Sequence, residues 1–365
     1  MVLKTTKTPL TKSAENVSWH RLVLLIVLGV EGAGGVVGGI LFGLAPDGHY
    51  MDMPVKMMHG TFSDFLVPGF LLTVMGFVSV CAVVAVLKRH SHGWLMAGIA
   101  VGGWIIWYTV EIIIIRELHI LHLFWGVPVL VAAIAWVPLL VARAGTKALT
   151  PMLYCGLASS LWYLAINILV PQFYPGYYLA DYTPSELSAF GAPTRIMWVL
   201  LVIPYPLLFS SFGWGIVVTS GENKAARITG MLIIAYCMFN LYWPPMHTRD
   251  VLASGGGTLS DTLHLVWAGI TVILSVLIMG FGAAAGSKQF RVYTIISIAL
   301  LLVFGLLTSK LAGNIDTGEP TPLIGVWERI NIGIFLIWVG VLSLARAGES
   351  HKEKKTTLST IPGLN

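Results

Sequence analysis

Glu31 is the ionisable residue of this sequence that most needs a chemical explanation. It lies nine residues into the apolar stretch of residues 22–44, about 13 Å along an α-helix and near the middle of a bilayer. A carboxyl group at that depth costs about 2.5–3.5 kcal/mol to insert. It could carry a proton or bind a cation, or it could be a protonated group hydrogen-bonded to a neighbouring helix. The stretch also has glycines whose small-xxx-small spacing favours close helix packing: Gly32, Gly34, Gly35, Gly38, Gly39 and Gly43.

A second carboxyl group, that of Glu111, follows Trp104 and Trp107 at offsets of seven and four residues. Those offsets place the three side chains on one face of a helix. Such a face is typical of an aromatic pocket with a carboxylate at its outer end. The alternative is that Glu111, only four residues before Ile115, reaches the membrane interface while the tryptophans pack inside the bundle.

Residue types that can bind metal ions also occur close together in the polar segments. His119 and His122, three residues apart, would share a helix face and could hold one ion, although Zn²⁺ would need a third ligand from elsewhere. The segment of residues 49–59 mixes histidine and methionine, which suits a soft ion such as Cu(I). His59 and Asp64 are a weaker pair, because their spacing matches no recognised motif. An interfacial position accounts for these histidines without a metal.

Asp261 and His264 lie three residues apart where another apolar stretch begins. The carboxylate could orient the imidazole and raise its basicity, or it could be a favourable acid at a helix N-terminus. Residues 183–186, Thr-Pro-Ser-Glu, fit a capping box, which accounts for Glu186 without catalysis. Four further charged residues could pair with these acids or grip an anionic head group: Arg195, Arg249, Glu328 and Arg329.

The elements that position these residues are helices in a membrane. Of 365 residues, 56% are hydrophobic and 11% are charged, against about 25% charged in a soluble domain. This composition excludes a nucleic-acid-binding module, a secreted disulfide scaffold and a soluble enzyme. We predict an all-α polytopic transmembrane helical bundle of about ten spans, since ten stretches have the roughly 20 apolar residues that a spanning helix needs. They are residues 22–44, 65–87, 94–115, 120–142, 151–170, 196–218, 228–245, 264–286, 292–313 and 324–345.

The basic residues predict the orientation. An even number of spans places both ends of the chain on one side, and most Lys and Arg residues lie in the turns and tails on that side. By the positive-inside rule that side is cytoplasmic. We therefore expect a multi-pass protein of the cell inner membrane whose partner is the lipid bilayer, with cytoplasmic tails at residues 1–21 and 348–365, the second of them disordered. The net charge of +5 is then an orientation signal and requires no nucleic acid.

The cytoplasmic turn at residues 143–150, with Gly145 and Lys147, is the most linker-like segment of the chain. It divides the predicted spans into four followed by six. We therefore predict a four-span unit at residues 22–147 and a six-span unit at residues 148–347.

Several segments of the predicted six-span unit resemble sequences of a known protein family. They are the run from Asp181 to Arg195 with Ser-Glu-Leu-Ser, the sequence Asp-Thr-Leu-His at 261–264, and residues 325–333 with Trp-Glu-Arg. Over about residues 150–347 the chain resembles DUF998, a family of six-span bacterial membrane proteins of unknown function. Residues 20–143, around the segment of residues 59–69, are similar to small uncharacterised four-span bacterial membrane proteins. These resemblances imply a fold and a membrane location, and they bring no activity.

Three functions remain open. The leading hypothesis is an outward-facing polar cavity that binds or transports a small or lipid-like molecule, with proton coupling through Glu31. The second is a membrane-embedded enzyme acting on a lipid or isoprenoid, with or without a metal, that uses His59, Asp64, Asp261 or His264. The third is a non-catalytic assembly factor. The sequence has no P-loop, His-Glu-x-x-His or Gly-x-Ser-x-Gly motif, which argues against ATP hydrolysis and the corresponding protease and hydrolase chemistry, and it names no cofactor.

Overall fold

The computed structural model describes residues 19–144 and 149–359, with side chains described except at 140–144 and 350–359. Within these ranges the structure is helical, apart from connecting segments and one isolated bridge between the backbones of Phe190 and His247. Nine helical segments of the described chain are long and apolar enough to cross a membrane. The predicted all-α polytopic bundle is therefore confirmed.

The chain divides into two compact units, Met1–Gly145 and Thr146–Asn365. The helices of unit 1 are α1 (Trp19–Leu44), α2 (Leu66–Leu87), α3 (Gly93–Ile115) and α4 (Ile120–Ala144). Each packs against the next, and α4 packs back against α1. This closed arrangement of four helices gives unit 1 an interior into which side chains from every helix can point.

Glycines set the distance between α1 and α2. A β-carbon on Gly39 would lie 2.0 Å from the hydroxyl oxygen of Thr73 and 2.5 Å from the carbonyl oxygen of Gly69. One on Gly76 would lie 2.5 Å from the backbone nitrogen of Val36. Only residues without a side chain allow two helix backbones to approach so closely, and the close packing predicted from the glycine spacing is confirmed.

The segment that joins α1 to α2 folds over one end of unit 1. It contains two short 3-10 turns, His49–Met51 and Val55–Met58, each followed by a residue in the left-handed region (Asp52 at φ 53° and His59 at φ 48°). Its Phe65 is buried and stacks on Phe42 of α1, with 4.5 Å between ring centroids. This covering segment, residues 45–65, is thereby anchored to the interior of the unit.

Unit 2 is a second ring of helices, interrupted by short elements. Its helices are α5 (Leu149–Leu169), α6 (Arg195–Val202), α7 (Pro204–Thr219), α8 (Lys224–Phe239), α9 (Arg249–Ala253), α10 (Leu259–Ala285), α11 (Lys288–Thr317) and α12 (Ile324–Ser359). The contacts run from α5 through α7, α8, α10, α11 and α12 and back to α5. The helices α6 and α7 together form the predicted span of residues 196–218, with a break at Ile203 because Pro204 cannot donate a backbone hydrogen bond.

The predicted span of residues 228–245 needs correction. Here α8 has only 16 residues, about 24 Å at 1.5 Å per residue, because Pro244 and Pro245 lie in the irregular segment that follows it. The chain nevertheless connects the two ends of α10. The Asn223 side chain, at the start of α8, lies 3.5 Å from the carbonyl oxygen of Ala285, and the irregular segment reaches the opposite end of α10 at Asp261.

The ends of the chain are described only in part. The helix α12 continues to Ser359, so residues 348–359 are helical, which differs from the disordered tail expected from the sequence. Residues 360–365 lie outside the described residues, as do residues 1–18 of the predicted N-terminal tail and residues 145–148 of the predicted linker.

Candidate functional site

Unit 1 contains a cavity of about 230 Å³ between its helices and the covering segment. Most of the lining is apolar or aromatic, with contributions from methionine, phenylalanine, leucine and tryptophan side chains. The lining residues with carboxyl, hydroxyl or imidazole groups are Glu31, Tyr108, Glu111 and His122. The cavity is thus a mainly apolar space with a few polar groups that converge from α1, α3 and α4.

Glu31 is held in the cavity wall by Tyr108. The carboxyl group is buried, with 3% of the residue exposed, and the Tyr108 hydroxyl donates a hydrogen bond to its Oε2 at 2.8 Å. The Tyr108 ring stacks on Trp104 with 5.6 Å between centroids, and the Trp104 indole donates to the Ser79 hydroxyl at 2.7 Å. A continuous set of contacts therefore fixes Glu31 of α1 relative to α3 and α2.

His122 and Glu111 form the second polar part of the lining. The backbone amide of His119 donates to His122 Nδ1 at 2.9 Å, so a neutral His122 ring carries its proton on Nε2. That nitrogen lies 4.0 Å from Glu111 Oε1. His119 itself accepts a backbone hydrogen bond from Leu121, and the backbone contact of His122 Nδ1 leaves only Nε2 free for a ligand.

The face predicted from Trp104, Trp107 and Glu111 does line the cavity. Sequence reasoning missed Tyr108, although its offsets of four from Trp104 and three before Glu111 put it on the same helix surface. It also missed Trp125 of α4, which no local spacing connects to these residues. The aromatic pocket is thus larger than the sequence suggests.

His59 and Asp64 have structural contacts outside the cavity lining. His59 Nδ1 lies 3.3 Å from the carbonyl oxygen of Ile114, which ties the covering segment to α3. Asp64 Oδ1 accepts a hydrogen bond from the backbone amide of Leu66 at 2.9 Å, at the start of α2. Both residues therefore help to fix the covering segment.

In unit 2 the structure pairs Asp261 with His247, where the sequence suggested His264. Asp261 Oδ1 accepts from the His247 backbone amide at 2.7 Å, and its Oδ2 lies 2.9 Å from His247 Nδ1. Asp261 also caps α10 through the Thr258 amide at 2.8 Å. His264 Nδ1 donates to the carbonyl oxygen of Pro244 at 2.6 Å. The helix-capping interpretation of Asp261 accounts for its position, and His264 has a different partner.

Arg249 is bound within unit 2. It donates through Nε and Nη2 to the carboxylate of Glu186, and through Nη1 to the Thr321 hydroxyl at 2.6 Å. Its guanidinium lies 4.1 Å from the centroid of the Tyr182 ring. Burial alone lowers the pKa of an arginine, but the hydrogen bonds and charge of Glu186 leave the pKa of Arg249 above its ordinary value. Glu186 also closes the predicted capping box with Thr183.

Arg329 and Arg195 bond mainly to backbone carbonyl groups. Arg329 Nη1 donates to the carbonyl oxygens of Leu179 and Tyr182, and its Nη2 donates to the Tyr177 hydroxyl. Arg195 donates to the carbonyl oxygen of Ser188. These contacts, like those of Arg249, favour the structural interpretation of the charges over a grip on an anionic head group.

The part of the chain that the structure describes contains no group of three or more His, Cys, Asp or Glu side chains placed to hold a metal ion. A zinc site requires at least three protein ligands. The weak metal candidates His59, Asp64, His119 and His122 therefore do not assemble into such a site among the described residues.

Comparison with known proteins adds one finding. A family model described as "Protein of unknown function (DUF998)" matches residues 157–345, which is more than half of the chain. No curated protein and no solved structure matches the chain. The matched region lies within unit 2, so the cavity of unit 1 lies outside it.

Proposed function

This chain belongs to the DUF998 family, and we propose that its first unit binds a small or lipid-like molecule in the cavity beside Glu31 and Tyr108. The observation that carries the proposal is a buried, hydrogen-bonded carboxyl group in the wall of a cavity of about 230 Å³ with a largely apolar and aromatic lining. Ligand sites commonly combine an apolar surface with a few convergent polar groups. A polar group inside a membrane bundle is by default a candidate for function.

The volume limits the ligand. A cavity of about 150 Å³ accommodates benzene, so 230 Å³ accommodates about nine or ten non-hydrogen atoms by the same proportion. The occupant is then a small ring with a short chain, or one end of a longer amphiphile. The polar end of that molecule lies at Glu31 and Glu111, and its apolar part lies against the methionine and aromatic side chains.

The proposal includes a location and an orientation. The proposed location is the cell inner membrane, and the bias of basic residues supports an orientation with both termini in the cytoplasm. In that orientation the covering segment and the nearby cavity face outward. Transport of the bound molecule with proton exchange at Glu31 is the stronger form of the proposal, and binding is its minimum.

Binding by the purified full chain in lipid nanodiscs tests the proposal. The probes are 2-phenylethylamine and 2-phenylethanol, and a change in tryptophan fluorescence reports occupancy, since three tryptophans line the cavity. We expect saturable binding of at least one probe. A side chain at Gly38 would enter the cavity, where its nearest neighbours are the flexible ends of Leu72 and Met51, so Gly38→Leu should weaken binding by about tenfold or more.

Gly43→Leu is the matched control, because a β-carbon there meets nothing within 4 Å and Gly43 is outside the lining. It should bind as the unchanged protein does. Absence of saturable binding of both probes, or equal binding by the two leucine variants, would overturn the proposal.

The enzyme alternative has weaker support. His59 and Asp64 belong to unit 1, whereas Asp261 and His264 belong to unit 2. Each of the four has a hydrogen bond to a backbone group that accounts for its position. We therefore do not propose an enzyme activity.

A further inference from the structure

We infer that the ligand of this cavity is a cation, namely a lipophilic amine or a quaternary ammonium compound. The inference rests on the proposed function and adds the charge of the ligand to it. Two of the lining residues, Glu31 and Glu111, have carboxyl groups, and no lining residue is Lys or Arg. The imidazole of His122 is the one basic side chain in the lining, and its Nδ1 already accepts a backbone hydrogen bond.

The carboxyl groups approach the cavity from two helices. Glu31 reaches it from α1 and Glu111 from α3. Tyr108 of α3 bonds to Glu31 and precedes Glu111 by about one helical turn. A carboxylate in apolar surroundings is costly without a positive partner. A bound cation supplies that partner, whereas a bound anion would add a further uncompensated charge.

Aromatic rings supply a second contribution to cation binding. Seven aromatic residues line the cavity. Three are phenylalanines, and the other four are Trp104, Trp107, Tyr108 and Trp125. Such rings attract ammonium groups, most strongly when water is excluded.

Because Gly34 has no side chain, the Trp125 ring can approach α1 close to Glu31. Gly34 lies three residues after Glu31 on the same helix face, and a β-carbon there would lie 3.3 Å from the Trp125 ring. The Trp125 ring therefore lies within about one turn of the Glu31 position on α1. Ring and carboxyl group together form the combination that recognises an alkylammonium group.

Three probes of nearly equal size separate the charge of the ligand from its shape. They are 2-phenylethylamine, which is a cation at neutral pH, 2-phenylethanol, which is neutral, and phenylacetate, which is an anion. Dissociation constants are measured with the full chain in phosphatidylcholine nanodiscs, so that the lipid adds no net charge. We expect the amine to bind about tenfold or more tightly than the alcohol, and no saturable binding of the anion.

Variants that remove the charge of one carboxyl group show which residue causes the preference for the amine. Glu31→Gln and Glu111→Gln keep the size of the side chain, and each should bring the affinity for the amine close to that for the alcohol. Binding of the alcohol should change less than binding of the amine, and a cooperative thermal unfolding transition of each variant shows that it remains folded. Glu117→Gln is the matched control, because Glu117 is exposed and outside the lining, and it should retain the preference for the amine.

Protonation gives an independent readout. Lowering the pH neutralises carboxylates while the amine stays charged, so binding of the amine should weaken and binding of the alcohol should not. The titratable groups facing the ligand are Glu31, Tyr108, Glu111 and His122, and the two glutamine variants assign the change to the carboxyl groups.

The outcomes distinguish this inference from the proposed function. Equal affinities for amine and alcohol would refute a cationic ligand and leave a general binding cavity. An amine preference that survives both glutamine substitutions would refute recognition of the cation by Glu31 and Glu111. Failure of every probe to bind saturably would remove the binding function itself.

Discussion

Tyr108 and Glu31 are 77 residues apart in the sequence and are joined by a hydrogen bond of 2.8 Å, in which the tyrosine hydroxyl is the donor. The bond connects α3 to α1 across the interior of unit 1. The most extensive packing of α1 is with α2, and this contact adds a polar link between α1 and α3. It fixes the carboxyl group that the proposed ligand meets.

Removing the Tyr108 hydroxyl should lower the free energy of unfolding by a measurable amount. Tyr108→Phe keeps the ring stacked on Trp104 but leaves the Glu31 carboxyl group without its hydroxyl partner. Interhelical hydrogen bonds in membranes contribute about 0.6 kcal/mol on average and about 1.7 kcal/mol at most, so we expect a free energy of unfolding lower by roughly that range, measured by denaturant titration in mixed micelles. The exposed Tyr50 supplies the control Tyr50→Phe, and an equal effect of both substitutions would contradict the assigned role of the bond.

The glycine contact between α1 and α2 predicts that two similar glycine substitutions change the melting temperature by very different amounts. Gly39→Ala would place a β-carbon 2.5 Å from the backbone carbonyl oxygen of Gly69, so the helices must separate. Gly43→Ala, one turn later, meets nothing within 4 Å. We expect a clearly lower melting temperature for the first variant and little change for the second. Comparable melting temperatures would show that α1 and α2 do not require this approach.

Breaking the ion pair between Glu186 and Arg249 in unit 2 should lower the free energy of unfolding substantially. Glu186→Gln leaves Arg249 without a charged partner in surroundings where only 3% of the Glu186 side chain and 18% of the Arg249 side chain are exposed. Breaking a buried pair from one side typically costs about 3–5 kcal/mol, measured as the free energy of unfolding. The comparison is Glu349→Gln, whose pair with Arg346 has a carboxylate that is 65% exposed and should contribute about 0–1 kcal/mol.

The proposed orientation predicts which loops a membrane-impermeant maleimide can reach. Ser63 in the covering segment and Ser91 between α2 and α3 are both exposed and should lie on opposite sides of the membrane. With the three native cysteines replaced, Ser63→Cys should react in intact cells, whereas Ser91→Cys should react only after the membrane is permeabilised. The reverse pattern would invert the orientation.

The sequence is most informative where the membrane leaves few choices. A long apolar stretch must satisfy its backbone hydrogen bonds within itself, so length and composition alone predict most of the helices. The segment ending at Pro245 is the exception, because the predicted span includes two prolines and neither can continue a helix. The length of an apolar stretch does not show where the helix within it ends.

The candidate site was predictable only in part, because helical spacing gives the residues of one helix face and does not give the contacts between helices. Helical spacing identifies the face containing Trp104 and Glu111, and the same spacing includes Tyr108. It cannot show that Tyr108 meets Glu31, since that depends on which helices become neighbours. Local spacing was also misleading at Asp261, whose partner is His247 in a distant irregular segment and is not the histidine three residues away.

The contact at Gly39 also determines how the cavity can open. Two helices that touch backbone to backbone cannot slide or rotate past one another without collision, so α1 and α2 behave as a fixed pair. The opposite wall is different, because α4 has Pro128 and Pro138 within it, and each proline removes a backbone hydrogen bond and permits bending. For the proposed ligand we therefore expect entry where α4 bends or where the covering segment lifts, and not between α1 and α2.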